Sequence, residues 1–248
     1  MFCWLESLRS SDKKKVIPVI SSPGARLIGT SIGKLVRDSS LQTECIAAVV
    51  KRIDPAAAVS LMDLSVEAEC FGARTEFMEN EVPSVKGALV SSAADAHKLR
   101  IPDLTAGRAG VYLDTLKKVK DRIDDRPVLA GVIGPFSLAG RLVDVTMAMI
   151  YCFDEPEILQ TVTEKCTEFL IKYILEYKKA GADGILMAEP LAGLLSPAME
   201  SEFSAPYIRK IVNAVQDENF IIVYHNCGGG VMGMTESISL NGCKACHF

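Results

Sequence analysis

The chain has 248 residues, 49% of them apolar, with 27 basic and 31 acidic side chains and a formal net charge of −4. A mean hydropathy of +0.22 excludes an intrinsically disordered chain, and the acidic balance disfavours a nucleic-acid-binding protein, which needs a basic face. The apolar runs are interrupted after about ten residues, which is too short to cross a membrane.

Cysteine usage and the first ten residues indicate the compartment. Residues 1–10 contain Glu6 and Arg9 and no apolar core, so they do not resemble a secretory signal. The eight cysteines are scattered without the spacing of a disulfide framework, which indicates reduced thiols. We therefore expect a cytoplasmic protein. No linker, charge block or repeat divides it, so residues 1–248 are predicted to form one domain.

Short apolar runs alternate with longer helical patterns along the chain. The predicted strands are 16–20, 57–64, 127–133, 184–189, 220–225 and 244–248, with a turn at 21–24 after the first. The predicted helices are 41–53, a helix starting at Val111, 137–151, 155–180, and 196 to about residue 215. Residues 71–104 carry a weak signal and are expected to be irregular or to form a small hairpin.

The alternation of strands and helices predicts the fold class. Strands that are apolar throughout and joined by helices are typical of a parallel sheet buried on both faces. A doubly wound sheet and a (β/α)8 barrel both fit this pattern, but no glycine-rich phosphate fingerprint follows the first strand. Six strands are two fewer than a closed barrel needs. We therefore expect an α/β fold of the (β/α)8 TIM type, incomplete at its C-terminus, from a chain of roughly 330 residues.

Polar residues mark the ends of three predicted strands. Asp63, Glu189 and His225 each lie within the last two residues of an apolar run. In a parallel barrel these ends share one rim, where active sites are built, and a buried carboxylate there needs a partner or a metal. Asp63 could instead cap the short helix that follows it. Glu189 precedes Pro190, which leaves no helix start to cap and favours a functional role.

The tripeptide His225-Asn226-Cys227 is the sharpest local feature. On an extended chain, residues two apart project to the same side, so the imidazole and the thiolate can reach one ion. Zinc accepts such mixed nitrogen and sulfur ligands. Gly228 begins a glycine run that would let a substrate approach the backbone. The alternative is a strand-end histidine that binds a backbone carbonyl, beside a buried thiol.

Other polar residues leave alternatives open. Arg141, one turn into the helix after the third strand, could bind an anionic substrate or form a surface salt bridge. Residues 243–247 (CKACH) could attach a c-type haem, bind a second zinc ion, or form a core strand with Cys246 buried. The core interpretation is favoured, because cysteine is frequent in cores. His247 could still reach the rim, and His97 is expected on the surface.

Several segments, in this order, resemble the uroporphyrinogen decarboxylase-like superfamily. They are MDLSVEAE at 62–69 with Gly72, GPFSL at 134–138, GADG at 181–184, Glu189, LSP at 195–197, Phe203, Pro206 with Tyr207, and HNCG at 225–228. The resemblance runs along most of the chain, and it implies a (β/α)8 barrel.

Two chemistries occur within that superfamily. The decarboxylase branch is identified by an arginine-rich segment after the first strand, a strand-end Asp and a Tyr. Here Asp63 matches the Asp, but Arg26 is the only basic residue of that segment, and Arg141 stands where the Tyr would fall. The His-x-Cys pair resembles the cobamide-dependent methyltransferases, which include methylcobalamin:coenzyme M methyltransferases.

The second resemblance implies a zinc-dependent methyltransferase that moves a methyl group between a corrinoid and a thiol or similar acceptor. His225 and Cys227 would bind Zn2+, with a third ligand, a distal cysteine, beyond residue 248. Glu189 would be a fourth ligand or a displaceable partner, and Asp63 would position the substrate, both as catalytic residues. Arg141 and Gly228 would contact the small-molecule substrate. A separate corrinoid protein is the expected partner, with no role for a membrane or nucleic acid. The alternatives are decarboxylation of a tetrapyrrole and a non-catalytic ligand-binding barrel.

Overall fold

A parallel sheet forms the centre of the computed structural model, which describes residues 4–20 and 22–248. The strands are β1 (Ala58–Val59), β2 (Thr75–Glu76), β3 (Ser84–Val85), β4 (Val128–Ile133), β5 (Gly184–Ala188), β6 (Ile221–His225) and β7 (Ala245–His247). Five of them form one parallel sheet in the order β1-β4-β5-β6-β7, and β2 and β3 form an antiparallel hairpin. The order never reverses, as it would in a doubly wound sheet, so this is the arrangement of consecutive barrel strands. The count of eight strands stays a prediction.

Helices connect the strands of this sheet. They are α1 (Trp4–Ser10), α2 (Ile32–Leu35), α3 (Ser39–Ile53), α4 (Val66–Cys70), α5 (Ala93–Lys98), α6 (Ala109–Arg122), α7 (Pro135–Val143), α8 (Val145–Tyr151), α9 (Pro156–Lys179), α10 (Pro197–Phe203), α11 (Ala205–Val215) and α12 (Thr235–Ser239). Short 3-10 helices cover Ser22–Ile28, Ala192–Leu194 and Val231–Met234. Within the described part of the chain, no helix combines the length and apolarity needed to span a bilayer.

The two faces of the sheet pack into different clusters. Side chains alternate along a strand, and one set, which includes Ile185 and Tyr224, packs with the helices in the main core. The other set forms a small cluster on the opposite face, which includes Leu186 and Val223 and is called the inner cluster below. Burial on both faces explains why the strands are apolar throughout.

The prediction of a first strand at residues 16–20 is wrong. Residues 16–20 belong to no helix or strand and pair in no ladder with the described residues, and Pro18 lacks the N–H that a ladder would need. Ile17 and Val19 instead pack on the small inner cluster, and the Val16 carbonyl accepts the N–H of Ala56 at 2.8 Å. Of the predicted turn at 21–24, Ser21 lies outside the described residues, and the rest begins the first 3-10 helix.

Two long predicted helices are each divided in two. Asp144, with φ 78°, separates α7 from α8, and its side chain accepts the N–H groups of Thr146 and Met147 at the start of α8. Ser204 separates α10 from α11 with a φ of −120°, and it makes no side-chain cap hydrogen bond to the described residues. The hairpin expected within 71–104 is confirmed as β2–β3, together with helix α5. The predicted strand at 57–64 contracts to Ala58–Val59.

Cys246 is exposed, so the expectation that it lies in the core is wrong. It belongs to β7, a three-residue strand that pairs only with β6 among the described strands. The surface position expected for His97 is confirmed, at the end of α5.

Candidate functional site

His225 ends β6 and lies beside His247 on the neighbouring strand β7. The two are register partners, and their Nδ1 atoms are 2.9 Å apart. His225 Nδ1 is also 3.1 Å from the His247 carbonyl oxygen, and His247 Nε2 is 3.1 Å from the carbonyl oxygen of Ile17. Burial lowers the pKa of His225, a hydrogen bond to the His247 carbonyl opposes this, and the charge of His247 lowers it further. The neutral imidazole, which is the metal-binding form, is therefore favoured.

Cys227 lies in a loop that its neighbours hold in place. Asn226 donates from its amide to the Tyr224 hydroxyl at 3.1 Å, and its side-chain oxygen accepts the N–H of Gly228 at 2.9 Å. A Cβ atom at Gly228 would lie 2.5 Å from the Cα atom of Gly193, so this glycine is needed for close packing of two loops. The Cys227 thiol is exposed rather than buried. A substrate contact at Gly228 stays a prediction.

His225 and Cys227 carry the kinds of donor atom that zinc accepts. His225 and Cys227 supply nitrogen and sulfur, and His225 Nε2 has no hydrogen-bond partner among the described residues. Over residues 4–20 and 22–248, no group of three His, Cys, Asp or Glu side chains is arranged to hold a metal. Glu189 therefore does not join the pair in the structure. A zinc ion at this rim would need at least one ligand that the described residues do not supply.

Glu189 directly follows β5 and is fully buried beneath helix α7. Its carboxylate accepts the N–H groups of Phe136 at 2.7 Å and Ser137 at 2.8 Å, which are unpaired donors of the helix N-terminus. A Cβ atom at Gly134 would lie 2.5 Å from Glu189 Cδ, so only glycine leaves room. Burial raises the pKa of Glu189 to about 7, against the hydrogen bonds from Ser137 and Phe136. The visible role of Glu189 is to join β5 to α7.

Asp63 lies in a buried network after β1. Arg108 Nη1 is 2.6 Å from Asp63 Oδ2, and the Tyr112 hydroxyl donates to the same oxygen at 2.9 Å. The Ser65 hydroxyl and N–H donate to Oδ1 at 2.6 and 3.0 Å. Arg108 also pairs with Glu69 at 2.6 Å. Asp63 therefore neutralises a buried arginine and holds Ser65, the residue before α4, but it does not cap that helix, whose N-cap is Ser65 without a side-chain cap among the described residues.

Two further ionisable groups lie near this network with unpaired atoms. Glu67 accepts the N–H of Ile133 at 3.2 Å, but its other oxygen, Oε2, has no hydrogen-bond partner in residues 4–20 and 22–248. Burial raises the pKa of Glu67 to about 7. Burial lowers the pKa of Arg141, and the charges of Asp63 and Glu67 partly offset this effect. The Nε atom of Arg141 is buried, and none of the described residues forms a hydrogen bond with it. No salt bridge of Arg141 is found in the described part of the chain.

Sequence reasoning missed Arg108 and Glu67. Arg108 directly precedes α6 and is four residues before Tyr112, so it lies on the same helix face as the buried apolar residues of α6. A charged residue in line with a buried stripe is a signal that it has a buried partner. Glu67 lies in the 62–69 motif, but nothing in its local sequence distinguishes it from the exposed acids of a helix start.

Comparison with known proteins gives the family. The profile of the uroporphyrinogen decarboxylase (URO-D) family matches residues 15–248. A uroporphyrinogen decarboxylase of Flavobacterium johnsoniae is 30% identical over 74% of this chain and 55% of its own. The methylcobamide:CoM methyltransferase MtbA of Methanosarcina acetivorans is 29% identical over 70% of this chain and 52% of its own. The chain thus spans about half the length of these relatives.

A solved structure agrees with the sequence comparison. A methyltransferase from Methanosarcina mazei superposes with a TM-score of 0.85 at 25% identity, over 98% of this chain and 73% of that one. Proteins named for both activities are therefore similar to this chain, as the motifs at 62–69 and 225–228 imply. The chain belongs to the uroporphyrinogen decarboxylase family.

Proposed function

We propose that this protein is a zinc-dependent methyltransferase that moves a methyl group between a corrinoid and a thiol or similar acceptor. The observation that carries the proposal is the His225–Cys227 pair at the carboxyl end of β6, with an exposed thiol and an Nε2 atom that has no hydrogen-bond partner among the described residues. The similarity to the two methyltransferases from Methanosarcina supports it. The corrinoid would be presented by a separate protein.

Each rim residue has a distinct task in this proposal. His225 and Cys227 would hold the zinc ion, together with a ligand that the described residues do not supply. Bound zinc would supply the positive charge that favours the thiolate form of an acceptor thiol, which is otherwise mostly protonated near neutral pH. Arg141, with its unpaired Nε, would bind an anionic group of the substrate. Asp63 would keep the neighbouring Arg108 fixed while substrate binds.

The Asp63 network favours a second candidate, decarboxylation of a tetrapyrrole. A substrate with several carboxylates needs cationic partners, and Arg108 and Arg141 are both near Asp63. Relatives named uroporphyrinogen decarboxylase are as similar to this chain as the methyltransferases are. A barrel that binds a ligand without chemistry is the third candidate, since fold does not determine function.

Metal content separates these candidates. We would measure zinc per chain by elemental analysis in the wild type, in Cys227→Ser, and in Cys246→Ser as the matched control. Cys246 is also an exposed thiol, but it lies on β7. The methyltransferase proposal expects near-stoichiometric zinc in the wild type and the control, and a sharp loss in Cys227→Ser.

Activity assays then complete the test. Zinc-dependent methylation of a thiol by methylcobalamin would support the first candidate. Wild-type protein without zinc would refute it, and porphyrinogen turnover lost in Asp63→Asn would then favour the decarboxylase. Zinc that binds without either turnover would leave the ligand-binding barrel.

A further inference from the structure

The geometry of the two imidazoles fixes where their hydrogen atoms lie. His247 Nε2 faces the carbonyl oxygen of Ile17 at 3.1 Å, and a carbonyl can only accept, so this nitrogen carries the hydrogen. In a neutral imidazole the other nitrogen, Nδ1, is then an acceptor. The atom that faces it at 2.9 Å is Nδ1 of His225. His225 must therefore donate from Nδ1.

A second acceptor supports the same arrangement. His225 Nδ1 also lies 3.1 Å from the carbonyl oxygen of His247, so its hydrogen is shared between two acceptors of one residue. That carbonyl also accepts the N–H of Asn226 at 3.2 Å. The His247 carbonyl oxygen already accepts another N–H, whereas Nδ1 of the His247 ring is closer to His225 Nδ1. The ring nitrogen is therefore the better acceptor for His225.

The free nitrogen of His225 is therefore Nε2. It has no hydrogen-bond partner in the described part of the chain, and its residue is only partly buried at the same rim as Cys227. A metal-binding histidine usually donates its other N–H to a fixed acceptor, which sets the tautomer and the ring orientation. The arrangement around His225 has this form, with an imidazole as the acceptor.

We propose that His247 is a positioning residue that holds His225 in its Nδ1–H tautomer and so leaves Nε2 as the free ligand atom. The identity of the metal rests on the proposed function, but the tautomer does not. The Ile17 carbonyl orients His247 in turn, and Ile17 is held by packing on the inner cluster of the sheet. The segment at 16–20 thus acts on the rim through two hydrogen bonds, one from His247 to Ile17 and one between the two imidazoles.

Two substitutions separate the roles of the His247 nitrogens. In His247→Asn, the side-chain oxygen takes the place of Nδ1, because both atoms are bonded to Cγ, so the acceptor for His225 is kept. In His247→Gln, the amide lies one bond further, near the position of Nε2, so the contact with Ile17 is kept and the acceptor is lost. His97→Asn, on the exposed end of α5, is the matched control.

The test has two readouts on the full chain. The tautomer of His225 is read from imidazole 15N chemical shifts in metal-free protein, and the zinc affinity from competition with a chromophoric chelator. We expect the Nδ1–H tautomer in the wild type, in His97→Asn and in His247→Asn. His247→Gln should give mixed tautomers and zinc binding weaker by about 10-fold or more.

Each outcome decides between the two proposals. An Nε2–H tautomer in the wild type, or an unchanged tautomer and affinity in His247→Gln, would overturn the role of His247 and leave the zinc site of the proposed function intact. The expected tautomers in a wild type that binds no zinc would support the positioning role and refute the zinc-dependent function.

Discussion

Glu67→Gln should make the protein more stable at alkaline pH. Glu67 is 2% exposed, and its Oε2 atom has no hydrogen-bond partner in the part of the chain that the structure describes. Burial raises its pKa from 4.5 to about 7. Between these two values the folded protein keeps a proton that the unfolded chain releases, so the free energy of unfolding falls as pH rises through this range. Above pH 7 the full destabilisation is present.

The pKa difference sets the size of the effect. At 1.36 kcal/mol per pH unit, the buried carboxylate costs at most about 3 kcal/mol above pH 7. Glutamine has the same shape and no charge, so the variant should lack this cost at pH 8, and at pH 5, just above the ordinary pKa of 4.5, it should be more stable than the wild type by less than about 1 kcal/mol. With a urea dependence of about 3 kcal/mol/M, the unfolding midpoint should rise by about 1 M at pH 8.

Urea unfolding at pH 5, 6, 7 and 8 measures this difference directly. Glu189 also has its pKa raised to about 7, so the variant keeps part of the pH dependence, and only the difference from wild type reports Glu67. Glu218→Gln, on an exposed turn, is the control and should follow the wild type. A variant less stable than wild type at pH 8 would refute the reasoning, because the charge of Glu67 would then be stabilising Arg108 or Arg141.

Two further substitutions test the packing of the rim. Asp63→Asn leaves Arg108 buried with Glu69 as its remaining carboxylate, so the free energy of unfolding should fall by about 3 kcal/mol, measured by urea denaturation. An unchanged midpoint would mean that the Asp63 pair contributes nothing to stability. Gly134→Ala places a methyl group 2.5 Å from Glu189 Cδ, and thermal unfolding should show a loss of about 1–3 kcal/mol. A variant as stable as wild type would show that the carboxylate can move away without cost.

Strands and helices were largely predictable because their signals are local. Apolar runs predicted β4, β5 and β6 within a residue or two, and the apolar stripe and capping residues of α9 predicted its bounds. The parallel arrangement also followed, since strands buried on both faces have no alternation. The motif order predicted the family, which the profile match confirms. These features depend on residues close in the chain, or on segments recognised one at a time.

Other features depend on residues far apart in the chain, and only the tertiary structure decided them. Arg108 meets Asp63 across 45 residues, and His247 meets Ile17 across 230. The local sequence does not indicate such partners, because a buried acidic residue and an exposed one cannot be distinguished until their neighbours in space are known. The same limit produced the wrong strand at 16–20, where apolar residues indicated burial but not the inner face on which they pack. The chain alone thus determined the family and the candidate rim residues, and the fold determined which of them are paired, capped or left free, because burial and hydrogen bonding are properties of the assembled neighbours.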